Sequence, residues 1–231
     1  MGLTDSIADV LLPRFCKVCG RRLTVGERHL CAVCTLKMPV LHYKNGEVNS
    51  TEQRLLGEKC LVRAASYMQY DKESGYRKIL YHLKYYSHPD VGRYLSVMAA
   101  EELNSAGFFD GVDFILPVPL SHRKYRKRGY NQCDYIATGI AQVTGLPVRT
   151  GVVSRRVSNQ VQAKKGMLQR WDNAEGIFRV DDADALEDRH VLVVDDILTT
   201  GATLSSMIEA MEQAAPSVRV SVFTLGLTDS K

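Results

Sequence analysis

The sequence predicts an α/β protein, a doubly wound and mostly parallel sheet preceded by a small cysteine-rich module. Three observations point there. From residue 61 onward, short apolar runs alternate with amphipathic stretches, the pattern of strands joined by helices. Val191-Leu-Val-Val194, four consecutive aliphatic residues, ends in Asp195 and Asp196 and passes into the small, hydroxyl-rich Thr199-Thr-Gly-Ala-Thr203. Near the start, Cys16, Cys19, Cys31 and Cys34 form two Cys-x-x-Cys pairs.

The chain has 231 residues, 45% of them hydrophobic, enough for one full α/β core and a small appendage. The expected organisation is a metal-binding module at residues 1–45, a polar linker at 46–60 and an α/β domain at 61–231. No window approaches a transmembrane span, and Asp5 and Asp9 stand where a signal peptide would carry positive charge. The expected location is therefore cytoplasmic, without membrane insertion. Lys and Arg number 30 against 26 acids, and the resulting net charge of +4 does not by itself argue for nucleic acid.

Each Cys-x-x-Cys pair can present two thiolates from a tight knuckle, and four thiolates complete the tetrahedral shell of a structural Zn²⁺. Residues 1–45 hold few large apolar side chains, so metal ligation would supply much of their stability. Four protein ligands leave no open coordination position, which makes such a metal structural. A redox dithiol is the alternative, and His29 or His42 could replace a thiolate, although His29 reads as a surface residue. A reduced cytosol disfavours disulfides. Cys60 and Cys133 have no spaced partner and read as small buried side chains.

Along the α/β region, residues 61–70 alternate as a half-exposed strand. Residues 73–85 place Tyr76, Ile79, Leu80 and Leu83 on one helical face, and 92–105 form a further helix. A short buried strand is expected at 114–118, a helix at 131–144, and strands at 148–153 and 177–180. The acidic residues at 181–188 read as a solvated loop. A buried strand at 190–194 leads to the hydroxyl-rich loop, a helix follows at 203–215, and a strand at 218–225 closes the sheet.

The junction after Val194 suits phosphate. Amides at a helix N-terminus are unpaired and carry partial positive charge, so Thr199, Thr200, Gly201, Ala202 and Thr203 can wrap an anion with N–H groups and hydroxyls. Asp195 and Asp196 would repel that phosphate at close range and suit the vicinal hydroxyls of a ribose instead. A second anion site is expected beyond residues 114–118. There Pro117 and Pro119 stiffen the exit, and Arg123, Lys124, Arg126, Lys127 and Arg128 crowd a loop before the next helix. In a parallel sheet both junctions open at the carboxyl edge, where ligands of this architecture bind.

A hydrophobic strand, two acids and a Thr-Thr-Gly-x-Thr loop together resemble the phosphoribosyl pyrophosphate (PRPP) signature of type I phosphoribosyltransferases. Pro117-Val-Pro-Leu120 followed by Arg126-x-Arg-Gly-Tyr-Asn-Gln132, with the cysteine pairs and that signature, resembles the ComF family, known from bacterial competence for DNA uptake. The likeness extends to His82-Leu-Lys-Tyr85 and covers nearly the whole chain. It implies a type I phosphoribosyltransferase-like fold with an N-terminal zinc finger. It also implies a loop at residues 156–173 that closes over substrate, a segment whose polar, basic composition is compatible. Lys84 reads equally as a solvated helix-end lysine or as a ligand contact, and packing suits Trp171, the sole tryptophan, better than base stacking.

The implied chemistry is departure of pyrophosphate from C1 of PRPP, which leaves oxocarbenium character at the ribose and charge on the leaving group. Backbone groups at Pro119, Leu120 and Ser121, with Arg123, Arg126 or Arg128 and Mg²⁺ on the pyrophosphate, would stabilise that charge. Asp195 and Asp196 would hold the ribose, and Thr199 to Thr203 the 5'-phosphate. Three function classes remain open: a phosphoribosyltransferase with an unidentified acceptor, a competence accessory protein that binds single-stranded DNA and uptake partners, and a nucleotide-sensing regulator. Tyr125 and Tyr130 among the basic residues fit a stacking platform for single strands as well as a pyrophosphate site.

Overall fold

A computed structural model describes residues 13–43, 48–71, 73–85, 89–156 and 176–229. Residues 157–173 of the expected closing loop, Trp171 among them, lie outside the described residues. In chain order the described elements are α1 (Ala32–Leu36), α2 (Ser50–Gln53), β1 (Leu61–Tyr70), α3 (Arg77–Tyr85), α4 (Asp90–Ser105), β2 (Phe114–Pro117), α5 (His122–Arg128) and α6 (Gln132–Thr144). There follow β3 (Val153–Arg155), β4 (Phe178–Val180), β5 (His190–Leu198), α7 (Ala202–Ala214) and β6 (Arg219–Thr228).

Four strands form a wholly parallel sheet in the order β1-β6-β5-β2. Its central strands are buried on both faces, as their unbroken apolar composition requires. Side chains alternate across the sheet. Leu192 and Val194 share one apolar cluster with Ile115, Phe223 and Leu225 and with helices α3, α4 and α6. Val191 and Val193 join the opposite cluster with Phe114, Leu116, Leu204, Met207, Ile208 and Met211 of α7. Burying each such side chain contributes roughly 1.5–3 kcal/mol, so both faces hold β5 in register. Helix α6 lies close on α4 because residue 139 is glycine: a Cβ there would meet the Arg93 carbonyl oxygen at 2.5 Å.

Several elements differ from expectation. Strand β5 continues through both acids to Leu198, because Ile197 and Leu198 resume the apolar run and pair with Gly226 and Leu227 of β6. The strand expected at 148–153 divides: Val148 makes only an isolated parallel bridge to Ile115, and Gly151, at φ 87°, turns the chain before β3 pairs antiparallel with β4. The basic stretch is a helix, α5, not a loop. It ends where Gly129 adopts φ 81° and its N–H bonds the Tyr125 carbonyl.

The expected linker is folded against β1 over residues 49–55. Asn49 and Glu52 make a reciprocal capping box at α2. Asn49 also donates to the Ala64 carbonyl at 2.9 Å, and Glu52 accepts the Ala64 N–H at 3.2 Å. Thr51 and Leu55 are buried, and Thr51 donates to Ser66 at 3.0 Å. The cysteine module is equally attached. Residues 39–41 run along the outer edge of β1, with Gln69 N–H on the Pro39 carbonyl and Leu41 N–H on the Tyr67 carbonyl, both at 2.9 Å. That contact covers a sheet edge that would otherwise be exposed. Val18, Leu23, Leu30 and Met38 pack in the same cluster as Met68 and Leu80. Among the described residues no helix is long and apolar enough to cross a membrane.

Candidate functional site

Strand β2 ends at Pro117, beside Val194 of β5, and the segment that leaves it and the end of β5 line a cleft of about 750 Å³. One wall is acidic and buried. Asp195, 9% exposed, accepts the Asp196 N–H at 2.8 Å and faces the Cys133 thiol at 3.4 Å. Asp196, 4% exposed, accepts Gln132 Nε2 at 3.1 Å and pairs with Lys84 Nζ at 2.8 Å. Burial, reinforced by the neighbouring Asp196 carboxylate, pushes Asp195 up to about 7. Burial likewise pushes the Cys133 thiol well up, with both carboxylates adding to it. Burial opposes the charge on Lys84, but the Asp196 and Asp195 carboxylates outweigh it and hold its ammonium above the usual lysine value.

The Gly129-Tyr-Asn-Gln132 motif is the joint of this wall. Tyr130 Oη donates to the Leu83 carbonyl at 2.6 Å, tying the end of α3 to the cleft. Asn131 donates to the Val118 carbonyl at 3.1 Å and caps α6 through the Cys133 N–H at 3.2 Å. Gln132 accepts from Arg128 while it donates to Asp196, and Arg128 lies over the Tyr85 ring at 5.9 Å. None of these roles was assigned from sequence. The motif's polarity just before an apolar helix was the available signal.

The rest of the lining is largely basic. Arg123, Lys124, Lys127 and Arg128 of α5 line the cleft beside Pro119, Leu120 and Ser121. Arg126, on the same helix, does not line it. Arg155, stacked over Phe178 at 5.3 Å, adds a cation that sequence reasoning missed. With Lys84 the cleft has six cations against two carboxylates, a balance suited to a ligand with several negative charges. Thr199 and Thr203 also line the cleft, whereas Thr200, Gly201 and Ala202 do not. Gly201, at φ 86°, is the buried N-cap of the 13-residue α7, and the Ala202 N–H bonds Thr200 Oγ1 at 3.4 Å.

A second centre lies in the cysteine module. The ligand atoms of Cys16, Cys19, Cys31 and Cys34 all lie within 4.8 Å of one another, and the Cys19 and Cys31 sulfurs are 3.8 Å apart. A tetrahedron with Zn–S bonds of about 2.3 Å has edges of about 3.8 Å, so the cluster fits a zinc-binding module. Burial disfavours the Cys16 thiolate, but N–H groups of Cys19, Cys31 and Val18 outweigh it and bring the thiol down to about 6. Burial pushes Cys34 up, and the neighbouring thiols add to that. A bound cation would relieve this crowding. Neither histidine belongs to the cluster: His29 packs on the Tyr94 ring at 5.4 Å, and His42 bonds Glu102 at 2.8 Å. Cys60 is only half-buried, whereas Cys133 is, as expected, a small buried side chain in the apolar cluster, and its thiol also meets Asp195.

Residues 134–228, from α6 to the end of β6, match the phosphoribosyl transferase domain family. The DNA utilization protein YhgH of Escherichia coli K12 is 24% identical over 220 residues, 90% of this chain and 96% of its own length. The competence protein ComFC of Bacillus subtilis is 31% identical over 111 residues, 48% of this chain and 43% of its own. The chain is thus similar to a DNA utilization protein over nearly its whole length and to a competence protein over about half of it. Among solved structures, glutamine PRPP amidotransferase of Bacillus subtilis is 19% identical, with a TM-score of 0.44 over 62% of this chain and 30% of its own. The matched phosphoribosyl transferase region contains both acids and the Thr199–Thr203 segment. It begins after the cysteine module, Lys84 and the basic helix.

Proposed function

We propose that the cleft binds PRPP with magnesium and that the protein transfers its phosphoribosyl group to a nitrogenous acceptor. One juxtaposition carries the reading: two buried carboxylates, Thr199 and Thr203 at a helix N-terminal loop, and a set of cations all line one cleft. These three groups match the parts of the ligand. Thr199 and Thr203, which line the cleft at the start of α7, take the 5'-phosphate, with the amides just behind them adding positive potential. Asp195 and Asp196 take the ribose hydroxyls. The backbone of Pro119, Leu120 and Ser121, with Arg123 and Arg128, takes the pyrophosphate, and Arg126 adds only to the surrounding field.

In the proposed reaction the bond from C1 to the pyrophosphate oxygen breaks and its electron pair leaves with pyrophosphate. A bond from C1 to the acceptor nitrogen forms, and that nitrogen loses its proton to water. Magnesium on the pyrophosphate would supply further charge neutralisation to the leaving group. Cations already in place at the basic wall stabilise the departing charge without reorganisation. Asp195 and Asp196, close to the ribose, favour the cationic centre, and anchoring of the remote phosphate orients C1. The cysteine cluster, by the same proposal, holds a structural zinc ion.

Calorimetry with PRPP and magnesium, followed by pyrophosphate release across bases, nucleosides and ammonia, tests the reading. Binding with turnover on one acceptor is expected, and no binding to the intact protein would sink it. A second reading, engagement of single-stranded DNA during uptake, draws on the relatives named for DNA utilization and competence. The unburied α5, with Tyr125 49% exposed among its cations, supports it. Oligonucleotide affinity should then fall steeply between low and moderate salt, and a flat salt dependence would exclude that role.

A further inference from the structure

The segment at residues 49–55, polar in sequence and placed between the cysteine module and the sheet, reaches the loop after β5. Arg54 donates one guanidinium nitrogen to the Thr199 carbonyl and another to the Thr228 carbonyl, the latter at 2.5 Å. Its own backbone backs the loop from behind: a Cβ on Gly201 would come within 2.9 Å of the Arg54 carbonyl oxygen and 3.4 Å of Leu55 Cδ2. Arg54 does not line the cleft.

We propose that Arg54 is a positioning residue for the phosphate-binding loop, an inference that rests on the proposed binding of a 5'-phosphate at Thr199 to Thr203. In a trans peptide the C=O and the following N–H point in opposite directions. A guanidinium that captures the Thr199 carbonyl therefore turns the Thr200 N–H away from Arg54, toward the inside of the loop. The second bond, to Thr228, ties the loop to the end of β6, and the fixed positive charge behind the loop raises its potential for an anion. Arg54 is itself held. The Asn49–Glu52 capping box and the buried Thr51 and Leu55 anchor its segment to β1, so the brace is set before any ligand arrives.

Ribose 5-phosphate and magnesium pyrophosphate separate the two ends of the cleft, and calorimetry with each, on the full chain, tests the inference. Arg54→Ala is expected to weaken ribose 5-phosphate and PRPP by about tenfold, the loss of a charged hydrogen bond, while pyrophosphate affinity stays within about twofold. Arg54→Lys should recover part of the loss. Gly201→Ala, which strains a positive φ and presses on the Arg54 carbonyl, should reproduce the selectivity without removing the guanidinium. Unchanged ribose 5-phosphate affinity in Arg54→Ala would overturn the role, as would an equal loss for both ligands. If the unaltered chain bound neither ribose 5-phosphate nor PRPP, the phosphate reading of the loop would fall, and the role of Arg54 with it.

Discussion

The two walls of the cleft are built by different physics. The acidic wall hangs on a central strand and on the first turn of α6, and its carboxylates are buried with named partners: Cys133, Gln132, Lys84 and the Asp196 amide. The basic wall is a seven-residue helix with no buried residue, stopped by a glycine and joined to the acids through Arg128 and Gln132. On the first wall, position is dictated by the core and charge must be accommodated. On the second, charge is the main contribution and position is loosely dictated. A ligand held between them would take its orientation from the acids and its attraction from the cations.

The largest break of this contrast should come from a distance. The cysteine module touches the start of α3, where Tyr76 Oη bonds the Cys34 carbonyl at 2.7 Å and Lys78 Nζ the Val18 carbonyl at 3.1 Å. The last turn of that helix carries Lys84 to Asp196. If the cluster holds the proposed zinc, replacing Cys16 and Cys31 by serine, or removing the ion with a chelator, should destabilise the chain by about 3 kcal/mol or more, since metal ligation is folding energy in such modules. Thermal melting with and without a chelator measures this, and a chelator-insensitive transition would exclude a structural metal.

Next in size is the ion pair itself. Lys84→Met leaves the Asp196 carboxylate without its cation and should cost about 2 kcal/mol, below the full penalty for a broken buried pair because the lysine is partly exposed. Adding Asp196→Asn should restore most of that stability but not PRPP affinity. Urea unfolding of the four species in a double-mutant cycle checks the first claim and calorimetry the second.

Asp195 predicts an effect of opposite sign. Its folded pKa, about 7, lies above the unfolded carboxylate value, so the folded state holds the proton more tightly and stability falls as pH rises from about 4 through 7. Asp195→Asn removes that penalty while its oxygen can still accept the Asp196 N–H. The variant should gain melting temperature over the parent progressively from pH 5 to 8 and lose PRPP binding. A constant difference across that range would contradict the buried, repelled carboxylate.

The smallest change in stability belongs to the basic wall. Arg123→Ser with Lys127→Ser should shift stability by no more than about 0.5 kcal/mol, as for exposed sites generally. Pyrophosphate affinity should drop and its salt dependence become shallower, readable by titration at two ionic strengths. A large loss of stability would show that α5 is structurally coupled after all.

Much of this arrangement was legible in the chain. Val191 to Val194 announced a buried parallel strand, and the spacing of Cys16, Cys19, Cys31 and Cys34 announced a four-thiol cluster, because both depend on local periodicity. Element boundaries were less so. Asp195 and Asp196 looked like the end of β5, yet backbone pairing with β6 carries the strand on to Leu198. Residues 123–128 looked like a loop because their charge hid a short helical turn that Gly129 terminates.

The sequence by itself determined the fold class, the cysteine cluster and the two polar junctions that face each other, since these follow from hydrophobic period, ligand spacing and turn chemistry. Only the tertiary structure decided that Lys84 pairs with Asp196, that Cys133 lies against Asp195, and that Arg54 braces Thr199 from a segment that reads as a linker. These contacts span 112, 62 and 145 positions along the chain. No local pattern encodes them. They exist because packing both faces of one sheet brings the ends of separate elements to the same edge.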